Sequence, residues 1–505
     1  MLGLSLRYPC VIEIGHPVSL NAIVFAATAG VALAAAGVSG ASASGARSPQ
    51  AMTPHTVTAT RTGASPTAVT PGTQLWMKLY ANRGNGGALS TAVSQNGSTV
   101  FVTGYTTTAK GAQDATTVAY NSATGAQRWA KSYGGPGGTD RGLSVAVSPN
   151  GKTVFVTGYS FGAVSGVDYA TIAYNAATGA QLWVKRYDDG LGNQAQSEAA
   201  QVAVSPNGST VFVTGTSLST TKGNDYATIA YNAVTGAQRW AARYNGVEGG
   251  NYGHALAVSP NGKTVFVTGA SIGTNNSYDY ATVAYNAVTG AQRWAKRYNG
   301  ARSGGVSRGA NSVAVSGSTV FVTGSSIGTN GAYDYATVAY NAGTGAQRWA
   351  KRYNNPGSGD GQAYSVALSP SGGTVFVTGY TDTSSTSAGY DYTTIAYKAA
   401  TGAQLWLARY NGTANFTDEA YQVAVAPGGG TVYVTGESAG GMFDGWGWAT
   451  VAYNAATGRR LWVKRYDGAG GSKAYSVAVS RTTGTVFVTG YSGESGDYAT
   501  IAYKG

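Results

Sequence analysis

Six acidic side chains interrupt an otherwise repetitive text: Asp140, Glu198, Glu248, Asp360, Asp418 and Glu419. They stand in stretches that vary in length and composition. Carboxylates gathered around one opening can hold a hard cation such as calcium, or accept hydrogen bonds from sugar hydroxyls. These six are the candidate ligand-binding residues. Seven other aspartates, Asp114, Asp168, Asp225, Asp279, Asp334, Asp391 and Asp497, recur at one fixed place, where the seventh repeat has Gly447. Recurrence at one place marks a structural task, either capping a turn or pairing with a base of a neighbouring strand.

Other reactive chemistry is scarce. Of three histidines, only His254 lies within the repeats. One imidazole cannot build a His-rich metal site, and it makes a Ser/His/Asp relay a poor reading. His254 reads as an ordinary hydrogen-bonding residue. The single cysteine, Cys10, excludes a disulfide within the chain and a thiolate metal cage. The glycine-rich stretches have no strand–loop–helix context, so they are turns rather than phosphate cradles. No catalytic residue and no metal ligand is assigned.

The elements that position these groups follow from a repeat. Trp recurs at 76, 129, 183, 240, 294, 349, 406 and 462, with gaps of 53 to 57 residues. Each unit carries four short runs of β-branched and aromatic residues bounded by turn residues. In the third unit these are 201–205 (A), 210–214 (B), 226–231 (C) and 237–244 (D). No unit holds a sustained helical period. Four strands repeated at this period, without helices, predict a β-propeller. The array opens with a lone D run, Gln74 to Tyr80, and stops after a C run, Ala499 to Tyr503. Joining the two completes a last sheet and leaves no open edge between the ends. The prediction is an all-β, eight-bladed β-propeller of four-stranded antiparallel blades, closed by its N-terminal strand.

Loop lengths divide the ring into two faces. The C–D connection has one length throughout. The A–B turn is shortened only at Ser316-Gly317-Ser318, whereas the B–C and D–A segments vary. In an up-and-down sheet the two constant turns share one end, so one face is constant and the other variable. The six candidate acids fall on the variable face. Because A strands line a propeller's axis, some are expected around the channel mouth.

Eight of the ten tryptophans hold one place in strand D. An indole buries roughly 150–250 Å², on the order of 4–6 kcal/mol as an upper bound. Eight equivalent copies cannot all be one active-site residue. Trp76, Trp129, Trp183, Trp240, Trp294, Trp349, Trp406 and Trp462 are assigned to docking blades on their neighbours.

The pattern Ala-Tyr-Asn-Ala-x-Thr-Gly-x-x-x-Trp, as in Ala173 to Trp183, resembles the tryptophan-docking motif of PQQ-type (quinoprotein-like) propellers. With TVFVTGY (153–159) and DYATIAY (168–174), the unit also resembles the SBBP-type β-propeller repeat of exported bacterial proteins. The resemblance spans residues 73 to 505 and implies the same fold. It also implies a chemical alternative: an oxidoreductase using pyrroloquinoline quinone (PQQ), or another propeller oxidoreductase. Quinoprotein dehydrogenases carry adjacent cysteines beside the cofactor, a calcium held by Glu, Asn and Asp, and an Asp base. Here the array has no cysteine, and no such calcium set aligns. No cofactor is expected; PQQ and calcium belong to the alternative.

Residues 1–43 read as a signal peptide: an apolar run from Leu20 to Val38 precedes the cleavage candidate Ala41-Ser42-Ala43. A longer reading, from Pro17, makes the segment an uncleaved anchor. Residues 44–72, rich in Ser, Thr, Pro and Ala, read as a disordered linker. Net charge is +12, much of it in D strands such as Lys296-Arg297 and Lys351-Arg352. Cations on an outer strand block edge-to-edge pairing. They can also attract anionic envelope polymers or lipid surfaces. No nucleic-acid-reading motif is present, so no nucleic-acid partner is expected. The expectation is a secreted or cell-surface bacterial scaffold, monomeric, with a propeller that does not itself span the membrane. Its partner would be a cell-envelope polymer, glycan or protein met by the B–C and D–A loops.

Overall fold

The computed structural model describes residues 69–80, 86–188, 190–192, 196–219, 223–274, 277–300, 309–354, 359–382, 389–413, 415–440, 445–468, 471–493 and 496–505. The expected signal peptide and all but the end of the expected linker lie outside them. The described residues form 32 strands in eight four-stranded antiparallel sheets. Adjacent sheets pack face to face around a ring, and the fold is an eight-bladed β-propeller.

Blade 3 shows why the sequence folds this way. Its strands are Ser197–Val204 (A), Thr210–Ser219 (B), Gly223–Asn232 (C) and Gln238–Tyr244 (D). B and C are buried almost continuously because a neighbouring blade covers each face. D, the outer strand, buries mainly its Trp. Strands A and B run further toward the variable face than the apolar pattern indicates. A bulge between Ala199 and Gln201 lets the ladder continue through small and polar residues. The glycine of the VFVTG run permits this approach: a Cβ on Gly215 would lie 2.0 Å from the Glu198 carbonyl oxygen.

Closure occurs in blade 8. Gln74–Tyr80 pairs antiparallel with Asp497–Tyr503, with Met77 opposite Ile501. The two chain segments meet where other blades have a C–D turn. Gly72 N–H donates to the Lys504 carbonyl at 2.7 Å, and Lys504 N–H to that of Thr73 at 2.8 Å. Gly72, at φ +83°, takes the place of the turn glycine, and the Trp462 ring packs against it.

Three tiers of hydrogen bonds join successive blades. Around the axis, Ser or Gln side chains of A strands accept backbone N–H groups of the next A strand, as in Val145 to Ser90 at 3.3 Å and Leu256 to Gln201 at 2.6 Å. Thr91 N–H to Ser476 closes this circle at 3.1 Å. Midway out, Tyr hydroxyls of C strands donate to the next blade's backbone, as in Tyr280 to Ala336 at 3.1 Å and Tyr498 to Thr116 at 2.9 Å. At the outside, the indole N–H of Trp76 reaches the Ser122 carbonyl at 2.9 Å, and that of Trp240 reaches Ala287 at 3.1 Å. Each such Trp sits between an aromatic ring of its own blade, Phe in seven and Tyr433 beside Trp462, and a Tyr of the next, as Trp240 does between Phe212 and Tyr285.

The recurring aspartates pair with a strand D base in blades 2 to 5. Arg186–Asp168, Arg243–Asp225, Arg297–Asp279 and Arg352–Asp334 lie at 2.6 to 3.1 Å, and each carboxylate is buried. In blade 7, where Gly447 replaces the Asp, Arg465 contacts Asp467 instead at 3.3 Å. Each of the four pairs in blades 2 to 5 ties strand C to strand D within one blade.

Candidate functional site

At the variable-face end, each blade presents a radial row of directly opposed residues, one per strand, on one face of its sheet. In blade 2 the row is Arg141–Tyr159–Tyr169–Tyr187. In blade 7 it is Glu419–Glu437–Trp448–Tyr466, and in blade 8 Lys473–Tyr491–Tyr498–Tyr80. The outermost position is Tyr in all eight blades. The third is Tyr in six, with Ala115 in blade 1 and Trp448 in blade 7. The inner pair, nearest the channel, is different in every blade. It is Gly87/Tyr105 in blade 1, Glu198/Thr216 in blade 3 and Tyr252/Ala270 in blade 4. It is Gly309/Ser325 in blade 5 and Gln362/Tyr380 in blade 6. The outer half of the row holds the blades together, and the inner half individualises the mouth.

These inner residues make an asymmetric rim. From blade 6 to blade 8 runs a chain of tyrosine rings: Tyr390, Tyr380, Tyr364, Tyr421, Tyr475 and Tyr491, with centroids 4.4 to 6.0 Å apart. Beside it, Lys473 forms an ion pair with the buried Glu437 and lies 5.3 Å from the Trp446 ring centroid. Tyr421 donates to Glu419 at 3.3 Å. Beyond blade 8, Arg141 covers the Tyr105 ring at 4.1 Å and donates to Gln113 at 2.6 Å. Across the ring, the strand B positions of blades 3 to 5 at the same level hold small groups, Thr216, Ala270 and Ser325, opposite Glu198, Tyr252 and Gly309 of strand A. The rim therefore combines aromatic surface, both signs of charge and hydrogen-bonding groups on one side of the mouth. Such a mixture orients a ligand or partner by several weak contacts.

The six acids of the sequence reading separate into three kinds. The strands reach further than the apolar pattern shows, so Asp140, Glu198, Asp418 and Glu419 stand in A strands rather than in D–A loops. Asp140 and Asp418 are buried. Asp140 accepts Gly135 N–H at 2.7 Å, and Asp418 accepts Gly412 N–H at 2.6 Å and the Ser438 hydroxyl. Each pins its incoming loop to its blade. Glu198 and Glu419 occupy the inner rows, on blades four places apart in the ring. The channel wall raises the Glu198 carboxyl above its usual range, with Arg141 pulling it back. Glu248 is exposed, and Asp360 accepts Tyr333 N–H at 2.9 Å. Among the described residues, no three His, Cys, Asp or Glu side chains group as a metal site. With no cysteine there either, the residues do not fit a calcium-held quinone flanked by a vicinal disulfide. His254 donates its Nδ1–H to the Ala310 carbonyl of the next blade, at 2.8 Å, and burial lowers its pKa. It serves the axis rather than the rim.

The tyrosine chain was missed in the sequence. Its signal was the Ala-Tyr pair in three successive A strands, at Ala363-Tyr364, Ala420-Tyr421 and Ala474-Tyr475, where other blades have Leu, Ala, His or Asn.

Burial pushes the Asp418 carboxyl up to about 6, against hydrogen bonds from Ser438 and Gly412 that lower it. An unfolded Asp titrates near about 3.9. Between these values the folded state keeps a proton that the unfolded chain releases. The stabilisation is complete below the unfolded value and is lost as pH rises through the folded one. Asp418→Asn keeps a carbonyl acceptor and cannot titrate. Its melting temperature is expected to vary less than that of the parent between about pH 4 and pH 6. Parallel melting curves for the two proteins over that window would refute the assignment.

Comparison with known proteins accords with this geometry. No curated protein matches the chain by sequence. Among solved structures, BamB from Moraxella catarrhalis is 15% identical, with 86% of this chain and 100% of that one covered at a TM-score of 0.50. Quinohemoprotein alcohol dehydrogenase ADHIIG from Pseudomonas putida HK5 is 14% identical, with 86% and 76% covered at 0.55. Sqt1 from Chaetomium thermophilum is 12% identical, with 86% and 99% covered at 0.55. At such identities the likeness is one of fold. A family model described as outer membrane protein assembly factor BamB matches residues 65–269 and 279–505, which take in every blade. The chain belongs to this family of PQQ-type β-propellers.

Proposed function

We propose that the protein is an exported binding scaffold whose contact surface is the variable face, centred on the rim from blade 6 to blade 2. The observation that carries this reading is the row structure. Eight equivalent rows keep their outer, blade-joining residues with two exceptions, Ala115 and Trp448, and are different in every blade where they meet the channel mouth. A scaffold needs a rigid frame and one individual surface. The partner is a cell-envelope polymer, glycan or protein. A family described as an assembly factor of outer membrane proteins supports an envelope location and a non-enzymatic role. The likeness to quinohemoprotein dehydrogenases favours only the frame.

The test is a binding screen of the chain against purified envelope polymers, glycans and envelope proteins. For the partner found, the triple variant Arg141→Ala/Glu419→Gln/Lys473→Ala is expected to weaken binding by about tenfold or more. A partner whose affinity ignores the triple variant would displace the contact surface from the rim. Dye reduction by the chain loaded with quinone and calcium would replace the scaffold reading with oxidoreduction.

A further inference from the structure

The two faces differ in charge as well as in constancy. None of the A–B or C–D turns contains an Asp or Glu. Among the described residues, every Asp and Glu side chain lies toward the variable-face end of its blade or in the loops there. The constant face carries cations instead. Arg128, Arg239, Arg293 and Arg348 stand exposed at the start of their D strands. Each lays its guanidinium across this face, donating to an A–B turn carbonyl, Ser98, Ser209, Lys263 or Ser318, at 3.2 to 3.3 Å. Lys152, Lys263 and Arg481 on A–B turns are exposed beside them, as are Lys398 and Arg459 on C–D turns. The ring thus carries both signs of charge on its variable face and, among side chains, cations alone on its constant face.

Exposed aliphatic side chains share the constant face. Val234 and Val288 on C–D turns are 80% and 73% exposed. Leu182, Leu405 and Leu461 occupy the D-strand place that holds Arg in blades 1, 3, 4 and 5, and are 40% to 51% exposed. A soluble polyanion would be met by cations alone. Aliphatic groups interspersed among cations suit a surface that is anionic outside and apolar just beneath. The chain itself points the same way. Gly72 enters blade 8 where its C–D turn would be, so residues 1–68, with the apolar run Leu20 to Val38, connect to the propeller at this face.

We infer that the constant face docks on a lipid bilayer bearing anionic headgroups. Docking there leaves the variable face, with its rim, directed away from the membrane toward its partner. This inference does not depend on what the rim binds.

The experiment uses residues 69–505, which form a closed ring with its own core, so that the apolar N-terminal run does not contribute. Co-sedimentation is measured with vesicles of phosphatidylcholine alone and with vesicles that also contain phosphatidylglycerol. Binding is expected only to the second kind and is expected to fall steeply with added salt. Arg128→Gln/Arg239→Gln/Arg293→Gln/Arg348→Gln is expected to lower it on the order of 100-fold, at about a factor of several per cation. A charge-matched control at mid-strand, Lys131→Gln/Lys185→Gln/Lys296→Gln/Lys351→Gln, should lower it far less. Circular dichroism melting confirms that both variants are folded. Equal binding to both vesicles, an equal loss in the control, or binding to polyphosphate with none to either vesicle would each overturn the inference.

Discussion

Deleting Gln74–Tyr80 is expected to abolish the folded monomer. That strand supplies the whole of strand D in blade 8, pairing along Asp497–Tyr503. Without it, the outer edge of Asp497–Tyr503 is left with unpaired backbone groups. Trp76 is lost as well. It packs between Phe487 and Tyr120, and its N–H bonds the Ser122 carbonyl. Its burial alone is worth on the order of 4–6 kcal/mol as an upper bound. The damage falls where the two ends of the chain join, and it removes the outermost of the three tiers between blades 8 and 1, leaving only Thr91–Ser476 at the axis and Tyr498–Thr116 midway out. A folded domain has only about 5–15 kcal/mol in reserve. The expected readout is aggregation or loss of the monomer peak in size-exclusion chromatography, with a collapsed melting transition. A synthetic peptide of residues 69–80, added during refolding, is expected to restore part of the monomer. A truncated chain that melts like the parent would show that closure does not hold the ring.

Trp240→Ala is expected to cost about 3–5 kcal/mol, the range for removing a buried large aromatic. The indole is 8% exposed, contacts Phe212 and Tyr285, and donates to the Ala287 carbonyl. Gly290 of the next blade packs so closely on its ring that a Cβ there would lie 2.7 Å away. The neighbouring surface is shaped to the indole and collapses poorly around a methyl group. Trp462→Ala is the informative comparison. Trp462 is only partly buried and rests on Gly72 at the junction of the chain ends rather than on a continuous turn. Its loss is expected to be smaller. Urea midpoints for the two variants, read with the slope of each transition, decide the matter. Equal losses would mean that the closing junction is as tight as an ordinary turn.

Much of this was legible in the residues. The period of Trp, the apolar runs and the turn glycines are local signals, repeated often enough that no single ambiguity could change the reading. The lone D run at one end and the missing D at the other specified the closure. The strand ends were not legible. Past Gly215 the ladder continues through Ser217, opposite both Ser197 and Asp225, to Ser219, opposite Gly223, residues with no apolar alternation to mark a strand. That extension turned expected loop acids into strand residues and gave Asp140 and Asp418 partners within their own blades.

By itself, then, the sequence determined the number of blades, their order, the docking role available to the indoles and the division into a constant and a variable face. These depend on patterns within one repeat. The tertiary structure decided what depends on residues about one repeat apart or at opposite ends of the chain. It chose which acids line the channel and which are consumed in pinning loops. It assembled the tyrosine chain from three blades and gathered the uncharged and basic turns into one cationic face. Side chains meet across blades only once register, bulge and ring closure have set their heights. No local pattern carries those heights.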